Sequence, residues 1–464
     1  MRAGRPNLLI LMPDQMRSDC MGCAGHPVIR TPNLDRLAAE GARFTQACTS
    51  SPLCMPARAC FMSGRYPHNH GMWRNHGRLP ADYESVFRRL RDAGYRTCHV
   101  GKSHYYEHRG QHLSGEEPYM HARGFDDLHE TTGPWATVTT DSYMTDRWAE
   151  LGLLDAFRED YHRRRESQEV AVWPSPLPEE EFMDSYVGRV AVEYLESYAA
   201  DRPFCLFMGF GGPHEPWDAP GRYATIYDPS LMPPVIPAGS PGDWLPEHVR
   251  DSFARSRRAG LGERKVGEIR GSYFGKISLI DHWVGRILEV LDARGWAEDT
   301  LVLLWSDHGE MLGDHQRLHK SVFLESALRV PLVLRWPGHV EAGVTRDALA
   351  STVDCFPTLL EAAGLEPDEG CQGVSLWPAV GDPAAEVRDA VFSEIAPAPL
   401  GSLMVRTREW KYAVDRQARP VLLYDLCHDP TEQRNLVGHP DHTDVEAELR
   451  DRLLGFLAGA QPML

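Results

Sequence analysis

Asn7-Leu8-Leu9-Ile10-Leu11-Met12-Pro13-Asp14-Gln15 is the stretch that decides how this chain folds. From Leu8 to Met12 it is apolar without alternation, the pattern of a strand buried on both faces of a parallel sheet. It then stops in a carboxylate and an amide. Three later stretches repeat the plan. Tyr95 to Val100 runs into Gly101-Lys102-Ser103-His104, and Phe204 to Phe210 into Gly211-Gly212-Pro213-His214-Glu215-Pro216. Leu301 to Trp305 runs into Ser306-Asp307-His308-Gly309-Glu310. Ionisable groups are costly near a core, so four apolar strands ending this way point to a site rather than to stability. In open α/β sheets ligands bind outside the carboxyl ends of the strands. Asp14, Gln15, Lys102, His104, His214, Asp307 and His308 therefore form one candidate site.

Helical patterns separate these strands. Thr31-Pro32-Asn33-Leu34-Asp35-Arg36-Leu37-Ala38-Ala39-Glu40-Gly41 carries a cap, a first-turn proline and a glycine stop. Ser85 to Ala93, Met183 to Tyr198, Ile269 to Ala293 and Val353 to Ala363 read as further helices, and Val330 to Leu334 as another strand. Residues 106 to 180 read as long loops with one helix near Asp146 to Glu159. The alternation predicts an α/β fold, a mostly parallel sheet covered on both faces. Between about 375 and 390 the composition turns to Pro, Gly, Ala and Asp, which reads as a linker. Short strand-like runs follow at Val391 to Glu394, Leu403 to Arg406, Trp410 to Val414 and Val421 to Leu426, with a helix near Asp444 to Leu454. The expected division is a catalytic domain over residues 1–375 and a small C-terminal α+β subdomain over 385–464.

Composition narrows the function. The 464 residues are 42% hydrophobic and 25% charged, ordinary for a globular protein. With 66 acidic and 49 basic residues the net charge is −17, which disfavours nucleic acid as a partner but not a small anion held by local cations. No run approaches the ~20 apolar residues of a membrane span, and the run at Leu8 to Met12 is too short for a secretory signal. Ten cysteines in a chain this long do not read as a disulfide framework. Cys20-Met21-Gly22-Cys23 stands without a second pair to complete a zinc site. The expectation is a cytoplasmic protein with reduced thiols and no membrane or nucleic-acid partner; the sequence leaves its oligomeric state open.

One motif stands apart from the strand ends. Within Ser50-Ser51-Pro52-Leu53-Cys54-Met55-Pro56-Ala57-Arg58-Ala59-Cys60-Phe61-Met62-Ser63-Gly64-Arg65, the segment Cys54 to Arg58 has the form Cys-x-Pro-x-Arg. Pro56 suits a first helical turn and Gly64 a stop. Cys54 would then sit at a helix N-terminus, where free N–H groups favour an anion, and Arg58, at i+4, would share its face. Taken alone, Cys54 reads equally as a buried structural cysteine.

The motif resembles the modification site of type I sulfatases, formylglycine-dependent enzymes of the alkaline phosphatase superfamily. Thr31 to Ala38 is similar to that family's first helix, and Gly94-Tyr95-Arg96-Thr97 through His104 to its second motif. Ser306 to His315 is similar to its third, and Tyr424-Asp425-Leu426, Asp429-Pro430 and Asn435-Leu436 to its C-terminal segment. Gln15 and His308 match the subset that includes choline-sulfatase-like enzymes. Ser103 departs from the pattern, since a large side chain usually stands between that Lys and His. The resemblance implies an alkaline-phosphatase-like three-layer α/β/α core and hydrolysis of a sulfate monoester, with a sugar, aryl or alkyl alcohol as product.

It also implies roles. A dedicated maturase would oxidise Cys54 to Cα-formylglycine, whose hydrate attacks sulfur. Asp14, Gln15, residue 54, Asp307 and His308 would hold one divalent cation, Ca²⁺ by preference, with Mn²⁺ or Mg²⁺ open. Arg58 would orient the hydrate, and Lys102 and Lys320 would bind sulfate oxygens. His214 would protonate the leaving alkoxide, and His104 would deprotonate the sulfated hydrate so that it collapses to aldehyde and sulfate. Asn75 is a substrate-side candidate. Trp73, Trp135, Trp173 and Trp217, with His70, Arg74 and His76, are candidates for the mouth or for packing. Two alternatives stay open: a phosphonate monoester or phosphodiester hydrolase of the same superfamily, and an inactive binding homologue with unmodified Cys54.

Overall fold

The computed structural model describes residues 5–239, 242, 244–256, 261–396 and 400–459. Its centre is an eight-stranded sheet made of β1 (Asn7–Asp14), β2 (Ala42–Cys48), β3 (Arg96–Lys102), β4 (Asp127–Thr131), β5 (Phe204–Pro213), β6 (Thr300–Trp305), β7 (Leu332–Arg335) and β8 (Val344–Ser351). The order is β4-β3-β5-β1-β6-β7-β2-β8. β7 pairs antiparallel with β6 and β2; the other pairings are parallel. β1 lies between β5 and β6, with Leu9 opposite Leu206 on one side and Val302 on the other.

Alternate residues of β1 feed two cores. Leu8, Ile10 and Met12 pack with Met55 and Phe61 of the helix Cys54–Ser63 and with Val86, Phe87 and Leu90 of Val86–Asp92. Leu9 and Leu11 pack with Leu34 and Leu37 of Pro32–Ala39, Val187 and Leu195 of Met183–Ser197, and Ile277 and Ile280 of Glu263–Ala293. Each such side chain contributes roughly 1.5–3 kcal/mol relative to exposure. Two helical layers thus sandwich the sheet, and the carboxyl ends of β1, β3, β5 and β6 come together at one edge.

A second sheet, all antiparallel, follows: β9 (Val391–Glu394), β10 (Leu403–Arg406), β11 (Trp410–Val414) and β12 (Pro420–Asp425), in the order β12-β11-β10-β9. Phe323, Leu324 and Leu328 share a core with Met404, Leu422 and Tyr424. The final helix Thr443–Ala458 lays Leu449 and Leu453 against Val405, Tyr412 and Leu423.

The structure departs from the sequence reading in several places, beginning with the helix Glu117–Ala122 inside the stretch read as loops with one helix. β2, β4 and β8 are additional strands. β2 and the first half of β8 mix exposed or half-buried polar residues with apolar ones, and β4, Asp-Leu-His-Glu-Thr, is a sheet edge, so none reads as a buried run. One expected helix near Asp146 to Glu159 is two, Tyr143–Glu150 and Leu154–Glu166, broken where Gly152 takes φ 70°. The stretch read as a linker contains the helix Trp377–Gly381. The long helix begins at Glu263 rather than near Ile269, its first turn being polar. The strand expected at Val330 to Leu334 is β7, Leu332–Arg335.

Candidate active site

The helix Cys54–Ser63 is buried along its whole length and ends where Gly64, at φ 67°, caps it. The side chain of Asn75 accepts from the N–H of Met55 at 3.0 Å, satisfying a first-turn donor that the helix cannot. Arg58, four residues after Cys54, is fully buried beneath the strand ends. Its Nε donates to Asp307 Oδ2 at 2.9 Å and its Nη1 to the carbonyls of Lys102 and Ser103 at 2.7 and 3.2 Å. Its Nη2 lies 3.2 Å from Asp14 Oδ2. One guanidinium therefore ties the ends of β1, β3 and β6 together.

Around it the predicted residues converge. The Cys54 thiol is 3.1 Å from His308 Nε2 and 3.9 Å from Asp14 Oδ1. Asp14, Cys54, Asp307 and His308 are all buried and offer ligand atoms within 4.8 Å of one another. Lys102 donates to Asp14 Oδ2, and His104 is within hydrogen-bonding reach of the Cys54 thiol. Asp307 Oδ1 accepts from the N–H groups of Gln15 and His308, each at 3.0 Å. The Gln15 side chain turns the other way: its oxygen accepts from Lys320, and its NH₂ donates to Glu215 at 2.8 Å and to Glu310. Lys320 Nζ also lies 2.6 Å from His214 Nε2, while His214 Nδ1 donates to the carbonyl of Glu215 at 2.7 Å, which fixes the tautomer.

The electrostatics follow from this crowding. Burial alone would raise the Cys54 thiol, but Lys102, Lys320 and His308 hold it well below its ordinary value. Burial would lower His308, yet Asp307 and Cys54 carry it up to about 9. Burial would raise Asp14, but Lys102, His214 and Arg58 hold it below the usual carboxylate range. Burial, reinforced by Lys102, pushes His104 down to about 4, leaving its imidazole neutral and able to accept a proton. Two buried carboxylates, a buried imidazole and residue 54 in one cage are a donor set suited to a hard divalent cation. Backbone strain gathers here as well: Gln15, His104, His319 and Ser321 all sit at φ between 53° and 70°.

Several residues at the site had no signal in the sequence. Glu215 stands 3.3 Å from both His214 Nδ1 and His319 Nδ1 and 3.6 Å from Lys320 Nζ. Burial would raise it, but His214, Lys320 and His319 hold it well below the usual carboxylate range. Lys276, fully buried, donates to the carbonyls of His214 and Pro216 at 2.7 and 3.2 Å and to Asp218 at 2.9 Å, clamping the loop that carries His214. Ser103 donates to Glu130, a buried carboxyl that also accepts from Tyr106 at 2.7 Å. A small hydroxyl at position 103 is what meets that carboxyl. Of the mouth candidates, His70 is buried against Cys60, 3.3 Å away, and Trp217 is a core residue 2% exposed. Trp135 packs on Tyr161, and Trp173 donates to Asp160 at 2.8 Å. Trp73, Arg74 and His76 lie on the Asn75 loop, the last two exposed.

Comparison with known proteins bears on this geometry. A family model described as Sulfatase matches residues 6–365, and one described as N-sulphoglucosamine sulphohydrolase, C-terminal, matches residues 313–458. An arylsulfatase of Clostridium perfringens is 29% identical over 98% of this chain and 95% of its own. A choline-sulfatase of Rhizobium meliloti is 31% identical over 95% of this chain and 84% of its own. Among solved structures, a phosphonate monoester hydrolase of Agrobacterium radiobacter superposes with a TM-score of 0.80 at 27% identity, covering 98% of this chain and 96% of its own.

Proposed function

The chain belongs to the sulfatase family, enzymes that hydrolyse sulfate esters on an alkaline-phosphatase-like fold, and from that premise we propose a working site built on Cys54 and the four strand ends. The observation that carries the reading is the meeting of Cys54, Asp14, Asp307 and His308 in one buried cage, with Lys102, Lys320, His104 and His214 around it. When present, a Cα-formylglycine at residue 54 supplies the attacking hydroxyl of its hydrate, and a divalent cation in the cage supplies Lewis-acid polarisation. Asp14, residue 54, Asp307 and His308 would hold that cation; the Gln15 amide oxygen, taken here by Lys320, would join them only by turning away from that lysine. Oxygen-rich donors favour Ca²⁺, and His308 admits Mn²⁺.

The chain's own groups do the rest. Arg58 fixes Asp14 and Asp307 against each other and orients residue 54. Lys102 and Lys320 bind sulfate oxygens and stabilise the charge that develops as the ester bond breaks. His214, whose Nε2 accepts from Lys320 in this arrangement, gives the leaving alkoxide its proton from Nε2 once Lys320 turns to the ester and that nitrogen is protonated. His104, neutral beside residue 54, accepts the proton whose loss frees sulfate. Asn75 stands at the mouth above the same helix end. Residues 1–375 act as the catalytic domain, with 385–464 appended through the core around Phe323 and Met404. A maturase acts on Cys54. The setting we propose is cytoplasmic, on the cysteine usage of the sequence. Among the described residues no helix is long and apolar enough to cross a membrane.

The likeness to a phosphonate monoester hydrolase favours a second reading, phosphonate monoester or phosphodiester hydrolysis at the same site. Enzyme made with a formylglycine-generating maturase and loaded with Ca²⁺ or Mn²⁺ separates the readings. Choline sulfate, aryl sulfates and sulfated mono- and disaccharides should release sulfate faster than phenylphosphonate or a phosphate diester releases product. The reverse order would transfer the chain to the second reading. Unmodified Cys54 with no turnover of any ester would make it a binding homologue.

A further inference from the structure

We infer that Glu215 is a specificity-determining residue: its carboxylate, set against Lys320, matches the pocket to singly charged esters and turns away doubly charged phosphate monoesters. The inference rests on the reading above that Lys320 and His214 face the ester oxygens. A charge count of the catalytic groups sets one divalent cation, Arg58, Lys102 and Lys320 against Asp14 and Asp307 alone, a surplus that would draw a dianion in. Two more carboxylates, Glu215 and Glu310, form a second cluster with His319, joined to the first through Gln15 and Lys320.

Their situations differ. Glu310 is fully buried and its oxygens are taken: one by the N–H groups of Leu312, at 3.1 Å, and His319, the other by Gln15. Its charge belongs to the scaffold. Glu215 is held by side chains, Gln15 at 2.8 Å and the neighbouring His214, His319 and Lys320, and its side chain keeps 15% of its exposure. It stands on the Lys320 side of the site, 3.6 Å from that ammonium. Coulomb repulsion scales with the substrate's charge, so a fixed carboxylate beside the binding lysine penalises a dianion twice as much as a monoanion. A sulfate monoester and a phosphate diester each carry one charge; a phosphate monoester near neutral pH carries nearly two.

Glu215→Gln keeps the size and an acceptor for Gln15 while removing the charge. With 4-nitrophenyl sulfate and 4-nitrophenyl phosphate measured side by side at pH 8, the phosphate-to-sulfate ratio of kcat/KM should rise ~10-fold or more over wild type. Inorganic phosphate should inhibit the variant more tightly by a similar factor, and Glu215→Asp should keep the wild-type ratio. Equal losses on both substrates with unchanged phosphate affinity would overturn the inference and leave Glu215 a structural residue. If wild type cleaves no sulfate ester, the sulfatase reading fails by itself. Calorimetry with inorganic phosphate then still decides whether Glu215 sets the pocket's charge. Should Glu215→Gln fail to fold, Glu215→Ser removes the charge with less volume and carries the same comparison.

Discussion

Two of the buried clusters of charge in this molecule are built on opposite plans. Where the small sheet meets the large one, Glu325 accepts from Arg406 at 3.1 Å and from Lys411 at 2.7 Å. Lys411 also pairs with Glu432, which accepts the N–H of Glu325 at 2.7 Å. Two acids and two bases close on one another, and burial, which alone would raise Glu325, is outweighed by Arg406 and Lys411. At the strand-end edge, by contrast, Asp14 is shared between Lys102 and Arg58, Lys320 reaches for a histidine nitrogen, and the buried His104 Nδ1 has no hydrogen-bond partner among the described residues. A cluster that satisfies itself is a joint. One that keeps an unpaired buried nitrogen and gathers four residues at positive φ, against Glu432 alone at φ 58° in the joint, is arranged to take a ligand.

Mutations at the two clusters should separate along that line. Arg58→Met strands two buried carboxylates and dismantles the cage. It should lower turnover by about 10³-fold or more and, as the loss of one partner from a buried pair, cost about 3–5 kcal/mol of stability; sulfate release and denaturant melts read both. Lys411→Met should cost a similar 3–5 kcal/mol while leaving kcat per folded molecule unchanged. A large kcat loss in Lys411→Met without unfolding would erase the distinction between joint and site.

Smaller effects sharpen it. His214→Ala should slow an alkyl sulfate by about 10²-fold or more, because an alcohol needs its proton, yet barely touch 4-nitrophenyl sulfate. Equal losses on both would take the leaving-group proton away from His214. The smallest effect is at Glu130, which burial lifts from 4.5 to about 7. A carboxyl raised in the folded state favours folding fully below its unfolded value and loses that contribution as pH rises through the folded one. Stability should therefore fall between about pH 4.5 and 7 by on the order of 1–3 kcal/mol, and Glu130→Gln should flatten that slope in thermal melts. An unchanged slope would place the pH dependence elsewhere.

Much of this edge is legible without coordinates, for a physical reason. Strands buried on both faces must be apolar throughout, so the polar residue that ends each one stands out; Asp14, Lys102, His214 and Asp307 were visible in that way. β4 and β8 escape because their residues are partly exposed, and the antiparallel direction of β7 escapes because an apolar run has no arrow. Lys276 looks like any lysine on a long helix until the fold brings it under the His214 loop. Glu215 hides for a similar reason: its meaning comes from Lys320, His319 and Gln15, which lie far along the chain and meet it only in the folded state. Ser103, a departure from the family pattern, becomes intelligible only beside Glu130.

The account turns on Cys54 supplying the nucleophile after oxidation, and graded conversion tests that most directly. Wild-type enzyme prepared with increasing maturase should show sulfate release from a fixed aryl sulfate rising in proportion to the fraction of the Cys54 peptide whose mass fits –CHO in place of –CH₂SH. Cys54→Ala, folded and metal-loaded, should release none above background. Activity independent of that fraction, or a Cys54→Ala enzyme retaining more than a few per cent of the wild-type rate, would contradict it.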